Sequence, residues 1–305
     1  MTRCLLGEEG NTYKYLGLRM FAHPWTVGDN DDDDVAEAKR TIFGLNQNLT
    51  RRTAHHLEEL NNKRRKRGGA LVKGTAKYDV TLINRMQNSP DLKEEPTIGD
   101  GKCSVAWHAD SSLEHFSSIA VYHSVFDDTA LTEETHNKDQ MYNRWSVALR
   151  VAHNSEGPEA CRRGASIESS VVTSTPAIAV SMPSGSAYYL LDDFNHHHQH
   201  AVLVNKNAEG SSSGVRFAST HRLLRQGHNV NFIIERCRVT CSQFHKKGPK
   251  IWRSEQLLLT EIESEWIRQF YIQGEGHKNL LWKVCHIYFD NSLKDHFAIT
   301  VLHRI

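Results

Sequence analysis

The sequence predicts an α+β fold in which a barrel or sandwich of short strands follows one long amphipathic helix and precedes a second helical segment. Three observations carry this. Residues 31–67 place apolar side chains at helical spacing, residues 78–237 break into strand-like pieces divided by Gly, Pro, Asn and Ser, and helical spacing returns after about residue 254.

In the first segment Val35, Ala38, Ile42, Leu45, Leu49, Leu57 and Leu60 recur on one helical face, and Asp34 with Glu37 resembles a capping box. A break is expected near Gly44. The aspartates at 31–34 favour the positive N-terminal end of such a helix and the basic run at 63–67 its C-terminal end, as solvated flanks.

The strand pieces follow in order: "YDVTLIN", "KCSVAWHA", "SSIAVYHSVF", "RWSVALRVAH", "PAIAVSMP", "SAYYLLDDF", "HAVLVN", "VRFASTHRLL" and "VNFIIERC". Strands at this density indicate a barrel or sandwich. The polar stretches at 153–176 and 206–214 read as an exposed loop and a hairpin connection. Beyond them Leu258, Ile262, Trp266 and Phe270 stand four apart, with Gly274 as a stop.

A chain of 305 residues with 39% hydrophobic and 24% charged residues has the composition of a globular protein, and its length fits about two domains. A formal charge of +1 excludes a uniformly basic nucleic-acid coat but leaves room for a local basic groove. The opening "MTRCLLGEEGNTYKY" shows no signal-peptide pattern, so an intracellular protein is expected. Cysteines 4, 103, 161, 237, 241 and 285 form no CxxC pair and read as reduced thiols, with Cys237 and Cys241 packed on one helix face.

"SVAWHADSSLEH" sets His108, a spacer and Asp110 after an apolar run. A His-x-Asp triplet arises by chance in a chain with 19 histidines, so its weight rests on partners elsewhere. A non-haem Fe(II) oxygenase needs two imidazoles and one carboxylate on one face of the ion, with positions left open for co-substrate and oxygen. Alternation in an extended segment points His108 and Asp110 to the same side. A third ligand then comes from "DDFNHHHQHAVLVN", where His196, His197, His198 and His200 compete. His200, at the mouth of the apolar "AVLV" strand, is preferred; a solvated histidine loop is the alternative.

In "VRFASTHRLL", Arg216, Ala218, Thr220 and Arg222 share one face of a strand, and Phe217, Ser219 and His221 the other. Burying two cations on an inward strand is costly unless anions neutralise them. Guanidinium groups bind carboxylates through paired hydrogen bonds, so 2-oxoglutarate bridging this strand and an iron satisfies both. A surface strand is the alternative for the arginines alone. A zinc site is the alternative for His108, Asp110 and His200, and it gives the arginine pair no role.

The stretches "NTYKYL", "PWTV", "YDVTLIN", "LKEEP", "GKCSVAWHAD", "SSIAVY", "YYLLDDFN", "HQHAVL", "RFASTHR" and "SEWIRQF" run from residue 10 to about 272. In these motifs and their order the chain resembles the fat-mass-and-obesity-associated (FTO) demethylases, within the AlkB-like iron(II) and 2-oxoglutarate oxygenases. The resemblance implies a double-stranded β-helix, or jelly-roll, catalytic domain over 1–226 with flanking helices, then a truncated all-α C-terminal domain over 227–305. It makes His108, Asp110 and His200 the iron ligands, and Asn84, Tyr188, Arg216, Thr220 and Arg222 the 2-oxoglutarate pocket. Arg3, Tyr13, Tyr15 and Leu16 become the lid that stacks on a methylated base, with Ser111 beside it. The implied activity is oxidative N-demethylation of single-stranded RNA or DNA, N6-methyladenosine above all, with O2 consumed. A nuclear, monomeric protein that engages no membrane is expected.

The chain departs from that family at three places beside the site. Ser111 stands where the family has an acidic residue that touches the base. Ala218 replaces a hydroxyl offered to the co-substrate, a loss of about 0.5–1.5 kcal/mol. Ala109 replaces a second histidine between the metal ligands. Ser111 keeps another methylated base or a small molecule open as substrate, and Ala218 keeps open an RNA-binding protein without catalysis.

Overall fold

The computed structural model describes residues 2–15, 18–87, 92–102, 107–126, 145–152, 175–205 and 215–229. Outside them lie Cys103, Cys161, Cys237, Cys241 and Cys285, the connection at 206–214, most of the loop at 153–176, the strand expected at 230–237 and the helix expected after 254. Two compact units are distinguished: Met1–Tyr13 with Phe21–Arg225, and Lys14–Met20 with Gln226–Ile305. The first carries both large sheets, the long helix and the candidate site.

The elements are β1 (Thr2–Gly7), β2 (Thr12–Tyr15), β3 (Leu18–Phe21), β4 (His23–Pro24), α1 (Asp33–Lys66), β5 (Val80–Gln87), β6 (Gly101–Lys102) and β7 (Ile119–Phe126). They continue with β8 (Trp145–Val151), β9 (Ile178–Ser181), β10 (Ser186–Leu190), the four-residue α2 (Phe194–His197), β11 (His198–Val204) and β12 (Val215–Arg222). A six-stranded sheet runs β10-β7-β12-β5-β1-β4, and a four-stranded sheet runs β6-β11-β8-β9. This mixed α+β architecture, mostly sheet with few helices, is consistent with a jelly-roll-like core. No helix among the described residues is long and apolar enough to cross a membrane.

Helix α1 forms as its spacing and charges predict, with Asp33 and Asp34 in the first turn and Lys63, Arg64, Arg65 and Lys66 in the last. It differs in three details. The cap is Asp32, whose side chain accepts from Val35 N at 2.8 Å, in place of the Asp34–Glu37 box. The helix runs unbroken through Gly44, which is exposed; a glycine there costs about 1 kcal/mol of propensity, too little to break a helix held by packing. Its buried stripe is Ala36, Asn46, Leu49, Thr53 and Leu57, while Val35 and Ala38 are exposed.

Two polar residues enter that stripe because α1 covers a polar sheet face. Leu49 packs with Tyr78 and Ala120, joined by Leu45, Tyr122 and Tyr189. Thr53 Oγ1 lies 2.7 Å from the Tyr78 hydroxyl, and His221 Nδ1 lies 2.7 Å from Asn46 Oδ1 and 2.9 Å from Thr81 Oγ1. His221 Nε2 lies 3.1 Å from Ser219 Oγ, so both ring nitrogens are engaged. The second face of β12, which hydrophobicity alone leaves unassigned, is therefore also buried.

Strands β1 to β4 have no counterpart in the sequence reading. β1 pairs antiparallel with β5, Arg3 opposite Asn84, and parallel with β4. Between α1 and β5 the chain holds no helix or strand, yet it is tied down at successive residues. Val72 N donates to Asn61 Oδ1 at 2.8 Å and Lys73 N to Asp192 Oδ1 at 3.1 Å. Gly74 sits so close to Phe116 that an added Cβ would meet its carbonyl oxygen at 2.0 Å. Arg64, from the last turn of α1, donates to Asp192 Oδ2 at 3.0 Å.

Candidate functional site

The two histidines come together through the backbone. His108 N donates to His200 O at 3.1 Å and His200 N to His108 O at 2.9 Å, an isolated antiparallel bridge that brings their ring centroids to 4.3 Å. Residues 103–106 lie outside the described set, and His108 and Asp110 belong to no strand. Their same-side placement thus comes from this bridge and from the partners of Asp110, not from strand alternation. His108 Nε2 lies 3.8 Å from Asp110 Oδ1.

Among the described residues, His108, Asp110 and His200 form a group whose donor atoms all lie within 4.8 Å of one another. His196 instead accepts from Phe116 N at 3.3 Å, and the His198 ring stacks on Phe194 at 4.5 Å. Burial, then the neighbouring His108, pushes the His200 imidazole down to about 3, so it is neutral at physiological pH. Its Nδ1 is buried with no hydrogen-bond partner among the described residues. Burial works against the Asp110 carboxylate, but the charge of Arg222 and the nearby imidazoles hold it below its ordinary value. The His108 side chain is 31% exposed, which gives the group an open side. Two imidazoles, an ionised carboxylate and an open side fit a divalent iron.

Arg222 meets the Asp110 carboxylate as a fork, Nε to Oδ2 at 2.9 Å and Nη2 to Oδ1 at 3.0 Å, with both residues buried. Where the sequence reading neutralises both arginines with a dicarboxylate, the structure gives Arg222 an anion of the chain's own as well. Burial alone would lower the Arg222 pKa, but Asp110 outweighs it and raises it. Arg216, 1% exposed, donates through Nε to His123 Nδ1 at 2.8 Å, contacts Met86 Sδ at 3.7 Å and lies 5.2 Å from the Trp145 ring.

The register places the expected co-substrate residues together. Residues directly opposed on neighbouring antiparallel strands point to the same side. Ala218 opposes Asn84 and His123, Arg216 opposes Met86 and Val125, and Thr220 opposes Val121, which in turn opposes Tyr188. Asn84, Tyr188, Arg216, Thr220 and Arg222 therefore share one face of the six-stranded sheet, across β10, β7, β12 and β5. Ala218 lies on that face and Ser219 on the other. Burial raises the Tyr188 phenol to about 12, in the field of Arg216, Asp110 and Arg222, so it keeps its proton.

Of the expected base-binding residues, Arg3 reaches the same face and donates through Nε to Asn84 Oδ1 at 2.9 Å. Tyr13 is 4% exposed, with the Arg222 guanidinium 4.9 Å from its ring centroid. It is in cation–π contact with the arginine that holds the Asp110 carboxylate. Ser111 is half-buried and precedes Ser112, which has φ 69°. Tyr15 ends β2. Leu16 lies outside the described residues.

Sequence reasoning missed the residues behind the ligands. Glu95, of "LKEEP", accepts from Trp107 Nε1 at 2.8 Å through Oε1, while Oε2 takes Thr97 N at 2.9 Å and Ile98 N at 2.8 Å. Arg150 stacks 4.8 Å from the Trp107 ring and donates twice to Gln199 Oε1, at 2.9 and 2.7 Å. The residues just before His108 and His200 are thus joined in a second layer. His123 Nε2 faces Met182 O at 3.0 Å, which assigns the proton there and leaves Nδ1 to accept from Arg216. Burial, then the charge of Arg216, lowers the His123 pKa to about 4 and keeps it neutral. Such contacts join residues about 12 to 93 apart in sequence and leave no periodic trace.

Comparison with known proteins points to one family. The alpha-ketoglutarate-dependent dioxygenase FTO of Xenopus laevis is 27% identical over 93% of this chain, which spans 60% of that relative's length. The FTO catalytic domain family matches residues 1–225, the stretch that holds both sheets, α1 and the His108–Asp110–His200 group. By that match, over most of its length, the chain belongs to the FTO catalytic domain family.

Proposed function

We propose that the chain is an Fe(II)- and 2-oxoglutarate-dependent dioxygenase that removes N-methyl groups from bases of single-stranded RNA, N6-methyladenosine first among them. The observation that carries this is one buried assembly: the His108–Asp110–His200 group beside a sheet face bearing Arg216, Arg222, Tyr188, Thr220 and Asn84. A metal site for structure alone gives a second buried arginine on that face no purpose. Support also comes from the family and from the name of the Xenopus relative.

In this reading His108, Asp110 and His200 hold the ion. Iron, 2-oxoglutarate and oxygen together supply hydroxylation of the N-methyl carbon, one oxygen atom going there and one to succinate as carbon dioxide leaves, and the hydroxymethyl product then releases formaldehyde. The chain's residues bind and orient. Arg222 keeps Asp110 ionised and aimed, and Arg216 offers its guanidinium to a co-substrate carboxylate. Tyr188, which keeps its proton, donates a hydrogen bond to the same anion. Arg3, Tyr13 and Ser111 receive an unstacked base. A nuclear monomer with a helical domain over 227–305 completes the reading.

Protein incubated with Fe(II), 2-oxoglutarate and an oligoribonucleotide carrying N6-methyladenosine is expected to yield succinate and adenosine in equal amounts. Folded protein that yields neither would overturn the proposal. Turnover of N3-methylated pyrimidines in place of N6-methyladenosine would move the substrate, as Ser111 allows, and keep the chemistry.

A further inference from the structure

The backbone of Asp110 is held by a side chain. If the His108–His200 bridge continued as an antiparallel ladder, Asp110 would stand opposite His198. No such pairing forms: β11 begins at His198, and α2 precedes it. Asn195, inside α2, turns its carboxamide to that position instead. Asp110 N donates to Asn195 Oδ1 at 2.9 Å, and Asn195 Nδ2 donates to Asp110 O at 2.8 Å.

This is the two-bond pattern that a neighbouring strand would have offered, supplied by a side-chain amide in place of a peptide group. Asparagine suits the position for chemical reasons. Aspartate keeps the acceptor but turns a second oxygen on the Asp110 carbonyl, alanine has neither group, and glutamine is longer by a methylene.

The element carrying Asn195 is itself tied down. Three residues earlier Asp192, in the left-handed region at φ 53°, takes Arg64 and Lys73 N, which fastens the turn before α2 to the end of α1. On the far side of Asp110 the chain turns at Ser112, φ 69°, whose carbonyl accepts from Arg225 N at 3.2 Å. Asp110 is thus fixed at its main chain by Asn195 and at its carboxylate by Arg222.

We infer that Asn195 is a positioning residue of the metal site, which sets the Asp110 main chain so that its carboxylate meets His108 and His200; this deepens the proposed function and rests on it. Partners of metal ligands typically change metal affinity by about 10–100-fold when removed.

The test titrates metal-free protein with Co(II), read by its d–d absorption, and with Mn(II), for the parent, Asn195→Ala, Asn195→Asp and, as a reference without a site, His108→Ala. Asn195→Ala is expected to weaken Co(II) binding by about 10–100-fold and alter the absorption bands while the metal-free melting temperature stays close to the parent's. Asn195→Asp is expected to weaken it as well, although its added negative charge alone would tighten a cation.

Parent-like affinity in a folded Asn195→Ala, or tighter binding by Asn195→Asp, overturns the inference. Loss of the fold in both variants also overturns it, because Asn195 would then serve the fold and not the site. A parent that takes up no Co(II) sinks the proposed function and this inference together, whereas normal uptake by every Asn195 variant sinks the inference alone.

Discussion

Two buried histidines, one on each side of the six-stranded sheet, are both depressed in basicity and have different fates. His221, under α1, and His200, in the candidate site, are both driven down to about 3, first by burial. Depressed basicity therefore does not separate them. Hydrogen bonding does: both nitrogens of His221 meet Asn46, Thr81 or Ser219, whereas His200 Nδ1 is buried with none among the described residues. The outer network is closed and holds the helix to the sheet. The inner histidine keeps a nitrogen without a hydrogen-bond partner among the described residues.

The largest effect expected from breaking this contrast is at Asp110. Asp110→Ala leaves the Arg222 guanidinium buried without its carboxylate and should cost about 3–5 kcal/mol in urea unfolding, with Co(II) uptake lost as well. Unchanged stability would show that the fork in the structure does not act as an internal ion pair.

A paired substitution sharpens the contrast. His221→Phe should lose about 2–3 kcal/mol, because Asn46, Thr81 and Ser219 are left with unmet hydrogen bonds, yet the folded fraction should take up Co(II) like the parent. His200→Phe should do the reverse, abolishing uptake while changing the urea midpoint little. Equal losses in both measurements for both variants would erase the distinction between the two faces.

Asp79 is an intermediate case, buried and hydrogen-bonded yet strained in its charged form. Burial raises its pKa to about 6, although Leu224 N donates to its Oδ1 at 2.9 Å. The unfolded carboxyl titrates near about 4, so the native state binds the proton more tightly. On this group's account stability is full below about pH 4, falls as pH rises to about 6 and is flat above. Asp79→Asn keeps the acceptor and removes the slope, with a gain on the order of 2 kcal/mol at pH 7 and none near pH 4, read from urea midpoints across pH. The smallest effect is at the helix end: Asp32→Ala should cost about 1 kcal/mol by losing the cap at Val35 N, with Co(II) affinity unmoved.

The elements that bury regular apolar patterns were legible. Helix α1 and strands β7 to β10 and β12 fall within the segments that spacing and alternation mark, β5 and β11 overlap theirs, and the inward arginine face of β12 follows from alternation alone. The short β1 to β4 were not. Asn46 and Thr53 were invisible to a search for hydrophobic spacing, since they are buried against polar partners. Within the site the histidines and Asp110 could be named from residue type and motif. What orients them could not: Asn195, His123, Glu95 and the Arg222 fork act through contacts between distant segments. The cap shifted from Asp34 to Asp32 because adjacent aspartates offer the same chemistry, and only geometry chooses among them.

The crossing from α1 to β5 carries a last consequence. Segments without helix or strand usually tolerate insertions and attract protease cuts. Here Val72, Lys73 and Gly74 are seated one after another against Asn61, Asp192 and Phe116. One extra residue would slip all three out of register, so this stretch should accept changes of length no better than a central strand does.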